Sequence, residues 1–426
     1  MTTLNGLTAS EACRRIANGD ISCEDLVRSC LNRIEERDSD VAAWVVVDPE
    51  HALEQARILD ISSESGPLHG IPIGFKDIID TSDLPTRYGS PIYEGFIPEA
   101  DAACVALSRA AGAVILGKTV TTEFAARHPG PTAHPLHPAR TPGGSSSGSA
   151  AAVADLQVPL AIGTQTAGSM IRPSAYCGVY ALKPTFGLFS MAGVHDLAET
   201  FDTLGIMARS IEDLALFRSV LMAIPTRPFA VVDSPPRIGF CRSPMWNDAD
   251  QATQEHLEAA AARLGKAGAR VSDLNLPNDF NDLLPVCWRV VVFEMARSLA
   301  HEKYTHADGL SSKARQMIAD GESTSLTTYL NDLRNIERLR ILIHELMDDI
   351  DIILTPAAVG EPHLGHADTG PVTFNFLWHI LNLPAMNIPA FTGPHGLPIG
   401  AQIVARRYED EALLRHAAWV DMHIRG

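Results

Sequence analysis

Residues 143–185 read GGSSSGSAAAVADLQVPLAIGTQTAGSMIRPSAYCGVYALKPT, and the reading of this stretch decides the fold. Two turns of small, serine-containing residues flank an alanine-rich segment and a short apolar run at 158–163. Serine hydroxyls accept hydrogen bonds from the free N–H groups of a first helical turn, so the first turn is expected to open a helix. The apolar run, short and bounded by turn residues, predicts a buried strand. In turn–helix–strand–turn units ligands gather where strands end. A flexible Gly/Ser linker would also look like GGSSSGS, but helix-forming residues resume at Ala150 and an apolar strand follows. A phosphate-binding loop is the other alternative, yet the turn holds neither a lysine nor a dinucleotide-binding glycine pattern.

Upstream, GIPIGFKD at 70–77 is a short apolar strand with Lys76 and Asp77 at its carboxyl end. A lysine there either snorkels to water or pairs with Asp77, or else it is desolvated so that its pKa falls and it can act as a base. Helices are expected from Thr8 to Asn18, from Ser22 to Arg37 and over 51–59. The first two are opened by a hydroxyl with an acid three residues on. Asp101 is expected to cap a helix over 102–111, followed by a strand at 113–116. This alternation favours a mixed or parallel sheet covered by helices. Residues 122–142 form a long irregular loop with His128, His134 and His137, whose spacing matches no metal-ligand pattern. It reads as a pocket wall.

Length and charge set the outer bounds. The 426 residues, 46% hydrophobic and 20% charged, suffice for a large buried core. A net charge of −17 without a basic patch argues against nucleic acid as a partner. Seven scattered cysteines suggest no disulfide framework and point to a reducing cytoplasm. The N-terminus does not read as a signal peptide, and no apolar run is long enough for a membrane span.

The motif GGSSSGSAAAVA, then TAGS with its serine twenty-four residues after Ser145, and FKD well upstream, resemble the amidase signature family. AGAVILGKTVTTEF, YCGVYALKPT, FDTLGIMARSIEDLA, DIILTPA and GLPIGAQIV resemble further blocks of that family in its order. The resemblance implies a single α/β domain over 1–426, with a twisted mixed sheet and helices on both faces. Within it, N-terminal helices at 7–60 precede a core of about 60–225 and 350–426, and an excursion at about 237–348 covers the cleft. It implies a Ser–Ser–Lys triad in which Ser169 is the nucleophile, Ser145, on a cis peptide bond, the relay, and Lys76 the base. Backbone N–H groups of Thr166, Ala167, Gly168 and Ser169 would form the oxyanion hole.

Two departures are visible. Many members carry two glycines before the nucleophile and an arginine two residues after it. Here Ala167-Gly168 and Ile171 occupy those positions, with Arg172 one place later.

The chemistry is coherent without the resemblance. A serine hydroxyl needs a base within reach, and a lysine can be that base only when burial keeps it neutral. The implied activity is hydrolysis of a small, apolar or aryl amide through an acyl-enzyme, with esters or carbamates as further substrates and neither metal nor cofactor. Substrate contacts are expected from Phe124 and from the aromatic run of Phe374 and Trp378. A homodimer is the default oligomeric expectation. Two other functions are compatible: a glutamine-hydrolysing subunit of a tRNA-dependent amidotransferase, and a non-catalytic binding protein. The second is disfavoured because all three triad positions are filled.

Overall fold

The computed structural model of the chain, in which residues 3–232 and 234–425 are described, opens on α1 (Ala9–Ala17) and α2 (Cys23–Val41). Thr8 Oγ1 accepts from Glu11 N at 3.2 Å, and Ser22 and Asp25 form a reciprocal capping box. The first turn of α1 also donates two backbone N–H groups to the carboxylate of Asp213, at 3.0 and 2.8 Å, which docks it onto the body of the protein. The expected run of helices is interrupted by β1 (Trp44–Val47), an all-β-branched strand behind a tryptophan. Then come α3 (Pro49–Asp60), β2 (Pro72–Lys76), α4 (Ala103–Ala110) and β3 (Val114–Thr119).

Asp101 does not cap α4. Ala102 occupies the cap position, and the Asp101 carboxylate instead accepts from Ser82 N at 2.8 Å and Arg109 Nε at 2.8 Å, because an arginine two turns into the helix competes for it.

The deciding stretch folds as α5 (Ser147–Ala154), β4 (Leu160–Gln165), α6 (Ile171–Cys177) and β5 (Tyr180–Lys183). Its serines do not cap α5. Ser146, at the cap position, donates to Thr164 O at 3.1 Å, and Ser149 Oγ donates to Ile162 O at 2.9 Å. The helix is buried, so its hydroxyls face strand backbone rather than their own first turn. Close approach also explains Gly148: a Cβ there would lie 2.2 Å from Ala43 O and 2.3 Å from Val120 N. Gly148→Ala is therefore expected to cost about 2–3 kcal/mol, read as a lowered urea midpoint at unchanged m. An unchanged midpoint would show that the backbone yields.

Next follow β6 (Thr203–Ala208), α7 (Ile211–Leu221), β7 (Arg237–Phe240), α8 (Gln251–Lys266) and β8 (Arg270–Asp273). Four consecutive helices succeed them: α9 (Leu283–Ser298), α10 (Ala300–Thr305), α11 (Ser312–Ser323) and α12 (Leu326–Leu346). The chain closes with β9 (Ile352–Pro356), α13 (Phe376–Ile380), β10 (Ala385–Thr392), β11 (Pro398–Val404) and α14 (Asp410–Ile424).

All eleven strands belong to one mixed sheet of order β1-β3-β2-β4-β6-β5-β10-β11-β9-β7-β8. This is the α/β architecture with a large mixed sheet that the sequence implies. β2 runs parallel to both β3 and β4, which sets the carboxyl end of β2, and with it Lys76, beside the end of β4. The excursion differs from expectation. Its first part, β7-α8-β8, is not a cover but the far edge of the sheet, because the apolar strand Arg237–Phe240 pairs in parallel with β9. Only the later helices reach the cleft. Among the described residues no helix is long and apolar enough to cross a membrane.

Candidate active site

Lys76 is 0 % exposed at the end of β2. Its Nζ donates to Ser145 Oγ at 2.6 Å and to Thr164 Oγ1 at 2.8 Å. It does not pair with Asp77, whose carboxylate lies 3.5 Å from Lys118 Nζ and accepts from Arg87 N. Burial lowers the Lys76 pKa to about 7, and the carboxylate of Asp202, nearby, pulls the other way. A substantial fraction of this side chain is therefore the neutral amine near pH 7.

Ser145 follows a cis peptide bond from Gly144, immediately before α5. The carbonyl of that bond, Gly144 O, accepts from the guanidinium of Arg172 at 2.5 Å, and the same side chain donates to Gly370 O and Thr369 Oγ1 at 2.7 and 2.9 Å. Arg172 is thus a buried strut between α6 and the chain at 369–370, and desolvation lowers its pKa to about 10. The arginine shifted by one place in the sequence still reaches the serine turn.

Ser169 sits in the turn from β4 into α6. Two side chains that the sequence reading overlooked hold that turn. Gln165 Oε1 accepts from the N–H groups of Met170 and Ile171, at 2.9 and 3.1 Å. Asp202 accepts from Thr166 Oγ1 at 2.5 Å and from the N–H groups of Leu197 and Ala198 at 2.6 and 2.9 Å. Burial raises the Asp202 pKa to about 6, while these donors oppose the rise. Among the described residues, none of the backbone N–H groups of Thr166, Ala167, Gly168 and Ser169 donates to a protein acceptor. Buried backbone donors are rarely left free without reason. Asp202 could have been found in FDTLG, but Asp is common ahead of strands and nothing local marked it.

A cavity of about 620 Å³ opens over this turn. Thr166, Ala167, Ser169 and Arg172 border it on one side. Leu284, Trp288 and Val291 of α9, with Met317 and Asp320 of α11, border it on the other. Its lining is predominantly apolar, as expected of a small-molecule site. The three expected substrate residues lie elsewhere: Phe124, Phe374 and Trp378 are in the core, at most 2 % exposed, and none borders this cavity. The aromatic run packs inward because most of it belongs to α13, a short helix buried at every residue. The apolar residues Leu284, Trp288 and Val291 of α9 supply the wall instead. In the 122–142 loop His134 is buried, its Nε2 2.9 Å from Tyr176 O, a strut between loop and α6.

Substituting Asp202 by asparagine replaces one of three acceptor contacts with a donor and removes a charge near Lys76. The expected result is a kcat lowered about ten- to a hundredfold with KM nearly unchanged, since the turn is misplaced rather than the binding wall. The pH midpoint of kcat/KM should also move to lower pH, because the carboxylate no longer favours protonated Lys76. A change in KM alone would assign Asp202 to binding.

A large mixed sheet flanked by helices, a lysine–serine pair at the carboxyl end of one of its strands and a serine turn with free N–H groups define an amide-cleaving hydrolase. The chain belongs to the Amidase family, whose sequence pattern matches residues 25–414. It is accordingly an enzyme acting on carbon–nitrogen amide bonds. It is 32% identical to the A-subunit of the glutamyl-tRNA(Gln) amidotransferase of Roseiflexus castenholzii, over 97% of this chain and 95% of the relative. Identity to the corresponding protein of Methylococcus capsulatus is 31%, over 98% of each. Among solved structures, a crystal structure of an amidase superposes with a TM-score of 0.90 at 26% identity, over 98% of this chain and 99% of that one. The peptide amidase of Stenotrophomonas maltophilia gives 0.82 at 26%, over 97% and 96%.

Proposed function

We propose that the protein hydrolyses a small, largely apolar amide through an acyl-enzyme on Ser169, with Ser145 as proton relay and Lys76 as base. The observation that carries this reading is the buried Lys76 Nζ at 2.6 Å from Ser145 Oγ, in a site whose cavity is bordered by Ser169 and by unengaged backbone N–H groups. Neutral Lys76 takes the proton of Ser145, which takes that of Ser169 as Ser169 Oγ bonds to the amide carbon. The carbonyl oxygen becomes an oxyanion held by N–H groups of 166–169. The C–N bond then breaks, the proton returns through Ser145 to the leaving nitrogen, and an amine or ammonia departs. Water, deprotonated along the same route, adds to the acyl carbon, and the carboxylic acid leaves as Ser169 regains its proton. Esters and carbamates share this acyl chemistry.

A second reading is favoured by the curated relatives: hydrolysis of glutamine as one component of an amidotransferase. Ammonia release from a panel of alkyl and aryl amides, set against glutamine, separates the two. Turnover of the panel with little glutaminase activity supports the stand-alone amidase, and glutamine as the sole substrate overturns it.

A further inference from the structure

We propose that Arg127 is a specificity-determining residue that holds a carboxylate at the far end of the substrate, so that the preferred amides are half-amides of dicarboxylic acids. This rests on the acyl-enzyme chemistry proposed above and narrows its amide to one whose apolar chain ends in a charged group. Arg127 borders the same cavity as Ser169, and its guanidinium carbon lies 4.1 Å from the ring centroid of Trp288 on α9. Stacking on a ring face orients a guanidinium while leaving its in-plane N–H donors open, and an open fork of donors matches a carboxylate. Among the described residues Arg127 makes no hydrogen bond and no ion pair.

The contrast with Arg172 is informative. That side chain borders the cavity too, but its terminal nitrogens are engaged by Gly144, Thr369 and Gly370. The one carboxylate on the lining is Asp320, and its Oδ1 already accepts from Gln316 Nε2 at 2.8 Å. The lining therefore carries two arginines against one aspartate, in a chain whose net charge is −17. The general charge of the protein would repel an acidic substrate, and this local excess of positive charge gives one a place. Leu284, Val291, Met317 and Val372 line the same cavity, and such apolar walls suit the methylene chain of an acidic half-amide.

Protection of Ser169 from a fluorophosphonate is the test, with succinate, glutarate and adipate as protecting agents and the matching monocarboxylates as controls. Wild type should be protected by at least one dicarboxylate at about tenfold lower concentration than by its monocarboxylate. Arg127→Gln should still label but lose that preference, and Arg127→Lys should keep part of it. If wild type labels but shows no preference for any dicarboxylate, or if Arg127→Gln keeps it, the inference is overturned and the amidase reading stands. If Ser169 does not label at all, the amidase reading falls, and this inference with it.

Discussion

Replacement of Ser169 by alanine is expected to abolish amide hydrolysis, lowering kcat by about 10⁴-fold or more, and to abolish labelling by a fluorophosphonate. The fold should survive, because Ser169 Oγ makes no hydrogen bond to another side chain among the described residues and a methyl-sized group fits the same turn. Far-UV circular dichroism and thermal melting of the variant check this. Ser145→Ala is the informative partner. It leaves a nucleophile but removes the group that accepts from Lys76 Nζ at 2.6 Å, so activity falls while slow labelling persists. Labelling of Ser169→Ala at the wild-type rate would place the nucleophile elsewhere and sink the mechanism.

How much of this was legible from the sequence depends on where each signal resided. The strand ending at Lys76 and the turns around Ser145 and Ser169 were readable because turn chemistry and apolar runs are local, and they lie within a residue or two of expectation, whereas the roles proposed for the three residues came from the family resemblance. The strand expected at 158–163 is displaced to Leu160–Gln165, since pairing with β6 extends through Gln165↔Thr203. β1 was missed because four β-branched and aromatic residues are too few to show a period, and its pairing partner β3 lies far along the chain. α11 was missed for a related reason: Ser312–Ser323 is polar on most of its surface and only Ala314, Met317, Ile318 and Gly321 are buried.

The substrate wall was illegible for a deeper reason. Nothing in WRVVVFEM distinguishes an apolar face that meets another helix from one that meets a cavity, since both bury the same stripe. Trp288 and Met317 become cavity residues only through the placement of α9 and α11 against each other, which no single segment encodes. Conversely, FNFLWHI drew notice for its rings, yet all of α13 is buried.

The base gives the remaining prediction. Free-enzyme kcat/KM should rise with pH and level off above about 7, because only unprotonated Lys76 can accept the proton and burial lowers its pKa to about 7. Lys76→Ala should lose about 10²–10⁴-fold near neutral pH, with partial recovery at high pH as hydroxide substitutes. Unchanged activity would return Lys76 to a structural role, and a flat wild-type profile would mean that another group titrates. The same burial has a stability consequence of definite sign. Between pH 7 and the ordinary lysine value of 10.5 the unfolded chain binds a proton that the folded chain has released, so folding stability gains as pH rises through that window. Below pH 7 the penalty is present in full. Lys76→Met has no such proton to bind, so the difference in stability between it and wild type should shift in favour of wild type as pH climbs from 6 to 10. Urea midpoints at several pH values would read this, and parallel curves for the two proteins would mean that Lys76 keeps an ordinary pKa and is unfit as a base. Activity and stability thus pull on one side chain in opposite directions. The desolvation that makes Lys76 a base at neutral pH also makes it costly to bury there, and an isolated packing role would give no reason to keep it.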